Sequence, residues 1–315
     1  MEKKYYVGID LGGTFIKGGI VDQAGQIVYQ DKVPTETEKG SEAVAKNIAG
    51  LVELLLTKSG LQKSEIIGIG MGVPGMIDSK TGCVVYSNNL DWKDFYIADR
   101  LTELTGLPVK IANDANVAVL GEAKFGAAKG METVIMLTLG TGVGGGIVID
   151  GKMFEGNKSA GAELGHMVIV ANGEPCTCGR KGCLEAYASA TALIRETKRA
   201  MQAHKDSKMW EIGSLEAVTG KTAFDYKDSD RYAKEVVENY IYKLSVGITN
   251  FANMFRPDVV LLGGGVCAQG DALIKPLQAL LNAEIYANTL GPAVPIKVAE
   301  LGNSAGLLGA AALWL

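Results

Sequence analysis

A chain of 315 residues, 47% of them hydrophobic, is long enough to bury one large core or two cores of ordinary domain size. Its formal net charge is −4, and its basic residues form no cluster beyond pairs such as Lys3-Lys4 and Arg180-Lys181, which excludes a nucleic-acid partner read through phosphates. No apolar run is long enough to span a bilayer and no secretory leader precedes the first strand, so neither a membrane partner nor export is expected.

Residues 5–10 read as a strand that runs into a glycine-rich turn, a second strand follows up to Asp22, and a third covers 27–33. Over 41–59, Val44, Ile48, Leu51, Val52 and Leu55 fall on one helical face, with Ser41 expected as the cap. Residues 66–73 form a continuous apolar strand ending in Val73-Pro74-Gly75, and 109–112 form another that ends at Asn113-Asp114. Strands alternating with helices define the α/β class. Offset by 128 positions, the stretch from Ile9 to Asp22 lies on that from Leu137 to Asp150, repeating strand, glycine turn and strand. Two copies of one unit predict two similar lobes, with the ligand expected in a cleft between them. The remainder is mainly helical, with helices expected over 186–204, 229–255 and beyond Gly270. A buried strand over 259–262 ends in Gly263-Gly264-Gly265, and a last strand over 295–299 precedes a small-residue helix over 304–315.

Three glycine-rich turns are built for phosphate. In Asp10-Leu-Gly-Gly-Thr-Phe-Ile-Lys17, the amides of Gly12 and Gly13 can approach phosphate oxygens without a Cβ in the way. Thr14 adds a hydroxyl and Lys17 a charge, and Asp10 can hold Mg2+ through water. The second copy, Gly140 to Gly145, matches the letters of a dinucleotide fingerprint, but a strand and not a helix follows it, so it reads as another phosphate hairpin, with Thr141 and Gly142 as contacts. Gly264 and Gly265 are suited to the nucleoside end. With no P-loop consensus, this set points to an ATP site of the actin and hexokinase type. Asp114, directly after a strand of an open α/β sheet, sits where such sheets expose their ligand edge; it is a candidate general base, and it or Asn113 could equally be a helix cap.

Between Gly161 and Glu185 lie His166, one of two histidines, and Cys176, Cys178 and Cys183, three of five cysteines. Three thiolates and one imidazole suit a closed tetrahedral zinc shell, with Pro175, Gly179 and Gly182 letting the backbone converge. Such a Zn2+ is structural, and it would order the flanking carboxylates Glu163 and Glu185. Cys83 and Cys267 are left as buried or free thiols, a usage that fits the reducing cytoplasm. The other histidine, His204, is expected on an exposed helix surface.

His166, nine residues, and then C-x-C-G-x-x-G-C-x-E resembles the zinc signature of the ROK family, which contains bacterial sugar kinases and sugar-responsive repressors. The resemblance runs from Asp10 to the C-terminal alanines and is nearest, by motif, to the ROK glucokinases. It implies a two-lobed actin/hexokinase-like fold of duplicated ribonuclease H-like domains: a small lobe of 1–115 closed by 302–315, and a large lobe of 116–301 carrying the zinc loop. It implies transfer of the γ-phosphoryl group of Mg-ATP to the 6-hydroxyl of a hexose, glucose first, with Asp114 as base. Gly75, Asn113, Asp114, Glu163, His166 and Glu185 would contact the sugar, with Asn88 or Asn89 as a further contact. Glucokinases usually carry proline where Asn88 stands, a departure at this loop. A homodimer or tetramer is expected. The same contacts would serve kinases of mannose, fructose, allose, N-acetylglucosamine or N-acetylmannosamine, or a non-catalytic sugar sensor. A repressor would need a helix-turn-helix ahead of Tyr5, before which only four residues stand.

Overall fold

The structure is a computed structural model and describes residues 4–315. In chain order the strands and α-helices are β1 (Tyr5–Leu11), β2 (Phe15–Asp22), β3 (Ile27–Pro34), α1 (Ser41–Ser59), β4 (Ile66–Val73), β5 (Met76–Asp78), β6 (Cys83–Ser87), β7 (Trp92–Phe95), α2 (Ile97–Thr105), β8 (Val109–Asn113), α3 (Asp114–Phe125), β9 (Val134–Leu139), β10 (Val143–Ile149) and β11 (Lys152–Met153). They continue with α4 (Glu185–Ala188), α5 (Ala190–Ala203), α6 (Thr222–Tyr226), α7 (Arg231–Phe255), β12 (Val259–Gly263), α8 (Asp271–Glu284), β13 (Ile296–Val298) and α9 (Ala305–Ala312). Contacts divide the chain into two compact units, one of residues up to 132 with 146–162 and 300–315, the other of 133–145 with 163–299. Among the described residues, no helix is long and apolar enough to cross a membrane.

The first unit is built on a sheet of order β3-β2-β1-β4-β8. The hairpin β1–β2 and strand β3 are antiparallel, whereas β1, β4 and β8 run parallel, so their C-terminal ends share one edge. Side chains alternate across the pleat. Val7, Ile9, Leu11, Ile16 and Ile20 turn to one face and join Val44, Ile48, Leu51 and Leu55 of α1 in a core that is almost wholly buried. On the other face Tyr6 and Val21 meet Leu307, Leu308 and Ala311 of α9. Gly8 and Gly70 admit this helix, because a Cβ on either would overlap the carbonyl of Leu307 or Ala310. Gly309 likewise lies against the Val117 carbonyl of α3, so α9 can come this close only because these three positions are glycine.

The second sheet has the order β11-β10-β9-β12-β13, and the division between units falls inside β10. Its strand pattern repeats that of the first sheet, a hairpin followed by two parallel strands, and β9–β10 stands at the predicted offset from β1–β2. The long helix α7 buries Tyr240, Leu244, Ile248 and Phe251 along one side, as the periodicity predicts.

Several local expectations are corrected. Ser41 is the first residue of α1, not its cap; Gly40, with φ of 85°, holds that position without a side-chain bond. The helix expected over 186–204 is broken at Ser189, whose hydroxyl accepts from the Ala192 amide and starts α5 afresh. The helix expected from 229 begins at Arg231, after Asp230 as cap. His204 is half-buried, its ring stacked on Tyr232 with centroids 3.7 Å apart, and so is no free surface histidine. A small three-stranded sheet, β5-β6-β7, lies between β4 and α2, where the sequence predicts no element.

Candidate active site and metal cluster

The register of the first sheet collects most of the predicted residues of its unit. Asp10 pairs with Gly72 and Gly72 with Ala112, so Asp10, Gly75, Asn113 and Asp114 lie at the C-terminal ends of neighbouring parallel strands. Asp10 and Lys17 are directly opposite in β1–β2, on the same face, and their charged atoms are 3.3 Å apart. Gly12, Gly13 and Thr14 form the turn between them, closed by the Gly12 amide donating to the Phe15 carbonyl at 3.0 Å. Asn113 caps α3, its side-chain oxygen accepting from the amides of Ala115 and Asn116 while its NH2 group donates to the Gly75 carbonyl at 3.1 Å. Of the two cap candidates, Asn113 is the cap. Asp114 is the first residue of α3, exposed, with Oδ1 oriented by the Ala115 amide at 2.8 Å. Asn88 and Asn89 are exposed between β6 and β7, and the Asn89 carbonyl comes close to Gly13.

In the second unit the β9–β10 turn closes more tightly, the Gly140 amide donating to the Gly142 carbonyl at 3.0 Å. Gly264, at φ of 90°, lies flat on the backbone of Leu139, where any Cβ would overlap; Gly265 then opens a short 3₁₀ turn. These two glycine loops thus share the C-terminal edge of β9 and β12, which pair in parallel up to Thr138 and Gly263.

Glu185 links this hairpin to the cysteine loop. Its Oε2 accepts from the Val143 amide at 3.0 Å, in space left because Gly142 has no side chain. Its Oε1 accepts from the Thr177 hydroxyl at 2.9 Å and lies 3.5 Å from Cys176 Sγ. Glu163 is exposed at the start of the 3₁₀ turn Leu164–His166, and its carbonyl accepts from the His166 amide at 3.1 Å.

One potential ligand atom from each of His166, Cys176, Cys178 and Cys183 lies within 4.8 Å of the other three. His166 Nδ1 and Cys176 Sγ are 3.6 Å apart, and the sulfurs of Cys178 and Cys183 are 3.7 Å apart. Tetrahedral zinc with Zn–S of about 2.3 Å and Zn–N of about 2.0 Å requires edges of about 3.5 to 3.8 Å; the donors suit that ion in kind, and the His166–Cys176 and Cys178–Cys183 edges match it in spacing. Burial, and then the neighbouring sulfurs, push the Cys183 thiol up to about 12, whereas the Arg180 amide draws Cys178 down. Nδ1 faces the cluster, which turns the ring's Nε2 the other way. Cys83 and Cys267 are buried and unpaired as thiols, as expected.

Four positions were missed. Thr35 donates its hydroxyl to the Gly12 carbonyl at 2.6 Å, and Thr191 donates to the Thr141 carbonyl at 2.7 Å. Thr177 and Val143 fix Glu185. Threonines bonded across 23 and 50 positions leave no local signal in a sequence.

Two sheets of one strand pattern, each opening on a glycine hairpin, define the duplicated α/β fold of the actin and hexokinase class. The chain belongs to the ROK family, whose model matches residues 6–315. A glucokinase of Halalkalibacterium halodurans is 39% identical over 313 residues, covering 98% of this chain and 94% of that one. The ROK hexokinase of Thermus thermophilus matches with a TM-score of 0.81 at 35% identity, over 98% of this chain and 97% of that one. A ROK glucokinase of Streptomyces griseus, solved with glucose and AMPPNP, matches with a TM-score of 0.78 at 33% identity over 98% of both chains.

Proposed function

We propose that the protein is an ATP-dependent glucokinase, transferring the γ-phosphoryl group of ATP to the 6-hydroxyl of glucose. The register that sets Asp10, Gly72 and Ala112 side by side carries the reading, because it puts a glycine hairpin and the Asp114 carboxylate on one edge of one sheet. Phosphoryl transfer asks the protein mainly for position and charge, and for a group to take the proton of the attacking hydroxyl. Asp114 takes that proton, its rotamer held by the helix it begins. Each unit has a hairpin whose amides and hydroxyls suit phosphate, with Gly12, Gly13 and Thr14 in the first and Thr141 and Gly142 in the second. Lys17 supplies positive charge, and Asp10 is the carboxylate available to Mg2+. Gly265, with open space where a Cβ would stand, leaves room for the nucleoside, and Gly264 lets that turn lie close on Leu139.

Donors and acceptors suited to sugar hydroxyls are Asn113, beside the Gly75 loop, in the first unit, and Glu163, Glu185 and the outward Nε2 of His166 in the second. Carboxylates that each accept two hydroxyl protons reject an analogue lacking one of those groups. His166, Cys176, Cys178 and Cys183 would hold a structural zinc, which would fix the orientation of His166 and brace the segment that ends in Glu185.

A coupled ADP-release assay across hexoses and N-acetylhexosamines tests the reading. Glucose should give the highest kcat/KM, and Asp114→Ala should lower kcat by about 10²- to 10⁴-fold while sugar binding persists. Preference for an acetylated amino sugar would overturn the glucose assignment, and an Asp114→Ala enzyme of undiminished kcat would overturn the base.

A further inference from the structure

The two hairpins share a feature that neither the glycines nor the repeat accounts for. In the first, Thr35 donates its hydroxyl to the Gly12 carbonyl at 2.6 Å and its amide to the Thr14 carbonyl at 3.0 Å. In the second, the Ala190 amide donates to the Gly140 carbonyl at 2.8 Å and the Thr191 hydroxyl to the Thr141 carbonyl at 2.7 Å. Gly12 and Gly140 are equivalent positions of the repeat. The segments that hold them are not: Thr35 follows the edge strand β3, whereas Ala190 and Thr191 begin α5. Different parts of the chain have thus arrived at one device, a threonine hydroxyl and a backbone amide closing on the carbonyls of a glycine turn.

A carbonyl and the amide that follows it belong to one rigid peptide plane and point in opposite directions. Anchoring the Gly12 carbonyl on Thr35 therefore aims the Gly13 amide away from Thr35. In the same way, the anchored carbonyls of Gly140 and Thr141 aim the amides of Thr141 and Gly142 outward. None of the amides of Gly13, Thr14, Thr141 and Gly142 donates to a protein acceptor among the described residues. Glycine turns are conformationally free, so without these ties the amides would sample many directions and would have to be ordered at the ligand's expense.

We propose that Thr35 and Thr191 are positioning residues, each holding the glycine hairpin of its own unit with its amides presented for phosphate oxygens of the nucleotide. This rests on the kinase reading above. Thr35 is fully buried, and its own carbonyl accepts from the Asn47 side chain of α1 at 3.4 Å, so the first hairpin is braced through to the core. Thr191 is exposed, on the first turn of α5.

Calorimetric titration of the full chain with Mg2+ and a non-hydrolysable ATP analogue, and separately with AMP, tests the proposal in Thr35→Val, Thr35→Ser, Thr191→Val and Thr191→Ser. Each valine variant should bind the triphosphate analogue about tenfold more weakly, the loss expected for one ordered hydrogen bond, with AMP affinity within about twofold of wild type. Each serine variant keeps the hydroxyl and should return to within about threefold of wild type. Equal losses for the analogue and AMP, or no loss in either valine variant, would overturn the assignment. Should Thr35→Val fail to fold, the exposed Thr191→Val and its serine partner decide the matter alone. A wild-type protein that binds the analogue no better than AMP would overturn the kinase reading as well, and so is told apart from a failure confined to the threonines.

Discussion

Glu185 is acidic, lies next to a cysteine cluster and is fixed at both oxygens, by Val143 on one side and Thr177 on the other. It keeps this place because Gly142 is glycine: a Cβ there would overlap Glu185 Oε2. Gly142 was read as a phosphate contact, and its packing gives it a second reason to be glycine. Gly142→Ala should therefore displace Glu185 and raise the KM for sugar by about tenfold or more, the scale of one lost charge-assisted hydrogen bond. Steady-state kinetics with sugar and ATP varied in turn would check it. An increase confined to the KM for ATP would leave Gly142 with the phosphate role alone. The carboxylate and the cysteines were legible from residue type, but the empty space that admits the carboxylate was not, since a glycine looks the same whatever lies above it.

Caps and turns decide where the elements begin, and there the periodicity of apolar residues is least informative. Helix α7 shows this clearly. Asp230 accepts from the amides of Tyr232 at 2.8 Å and Ala233 at 3.4 Å, and from the Ser207 hydroxyl, so it both caps the helix and ties it to an earlier turn. Burial works to raise its pKa, but the Ser207 hydroxyl and the amides of Tyr232, Ala233 and Lys208 together outweigh burial and hold the carboxyl below the usual range. A carboxyl so lowered in the folded state contributes stability above its unfolded pKa of about 4, and loses it as pH falls through the lower folded value. Asp230→Ala should cost about 1–2 kcal/mol at neutral pH, the range for a lost N-cap. The difference from wild type in urea midpoint should shrink as the pH is taken below about 4. A difference that stays constant down to strong acid would show the carboxylate charge to be irrelevant to the cap. The helix itself was readable from Tyr232, Tyr240, Leu244, Ile248 and Phe251, whereas β5, β6 and β7 were not. Three, five and four residues are too short for alternation to register, and left-handed backbone at Asp91, in the turn before β7, and at Asp94, inside β7, with φ of 55° and 48°, breaks the pattern further.

At the scale of the molecule, the duplication accounts for the two five-stranded sheets, and the cysteine cluster is one of the features outside it. A metal bound at four points in a loop orders residues that would otherwise have few apolar contacts to fold upon. The purified protein should carry about one zinc per chain. Removing it with a chelator should raise the KM for sugar several-fold more than the KM for ATP, because His166 and Glu185 adjoin the cluster while the first glycine hairpin is braced by Thr35 and the core of α1. Elemental analysis and kinetics before and after chelation would test this. A chelated enzyme with unchanged sugar KM would separate the metal from the site.

What the sequence determined by itself was what periodicity, self-similarity and residue type carry: the α/β order, the repeat at an offset of 128, the helical face of α1, and the donor chemistry of His166 and the three cysteines. Tertiary structure alone decided which carbonyls are tied and which spaces are left empty: Thr35 on Gly12, Thr191 on Thr141, Glu185 over Gly142, α9 against Gly8 and Gly70. The physical reason is one of range. Alternation and helical period arise within a few residues, whereas a hydrogen bond across 23 or 50 positions exists only once strand register and helix packing have brought its partners together.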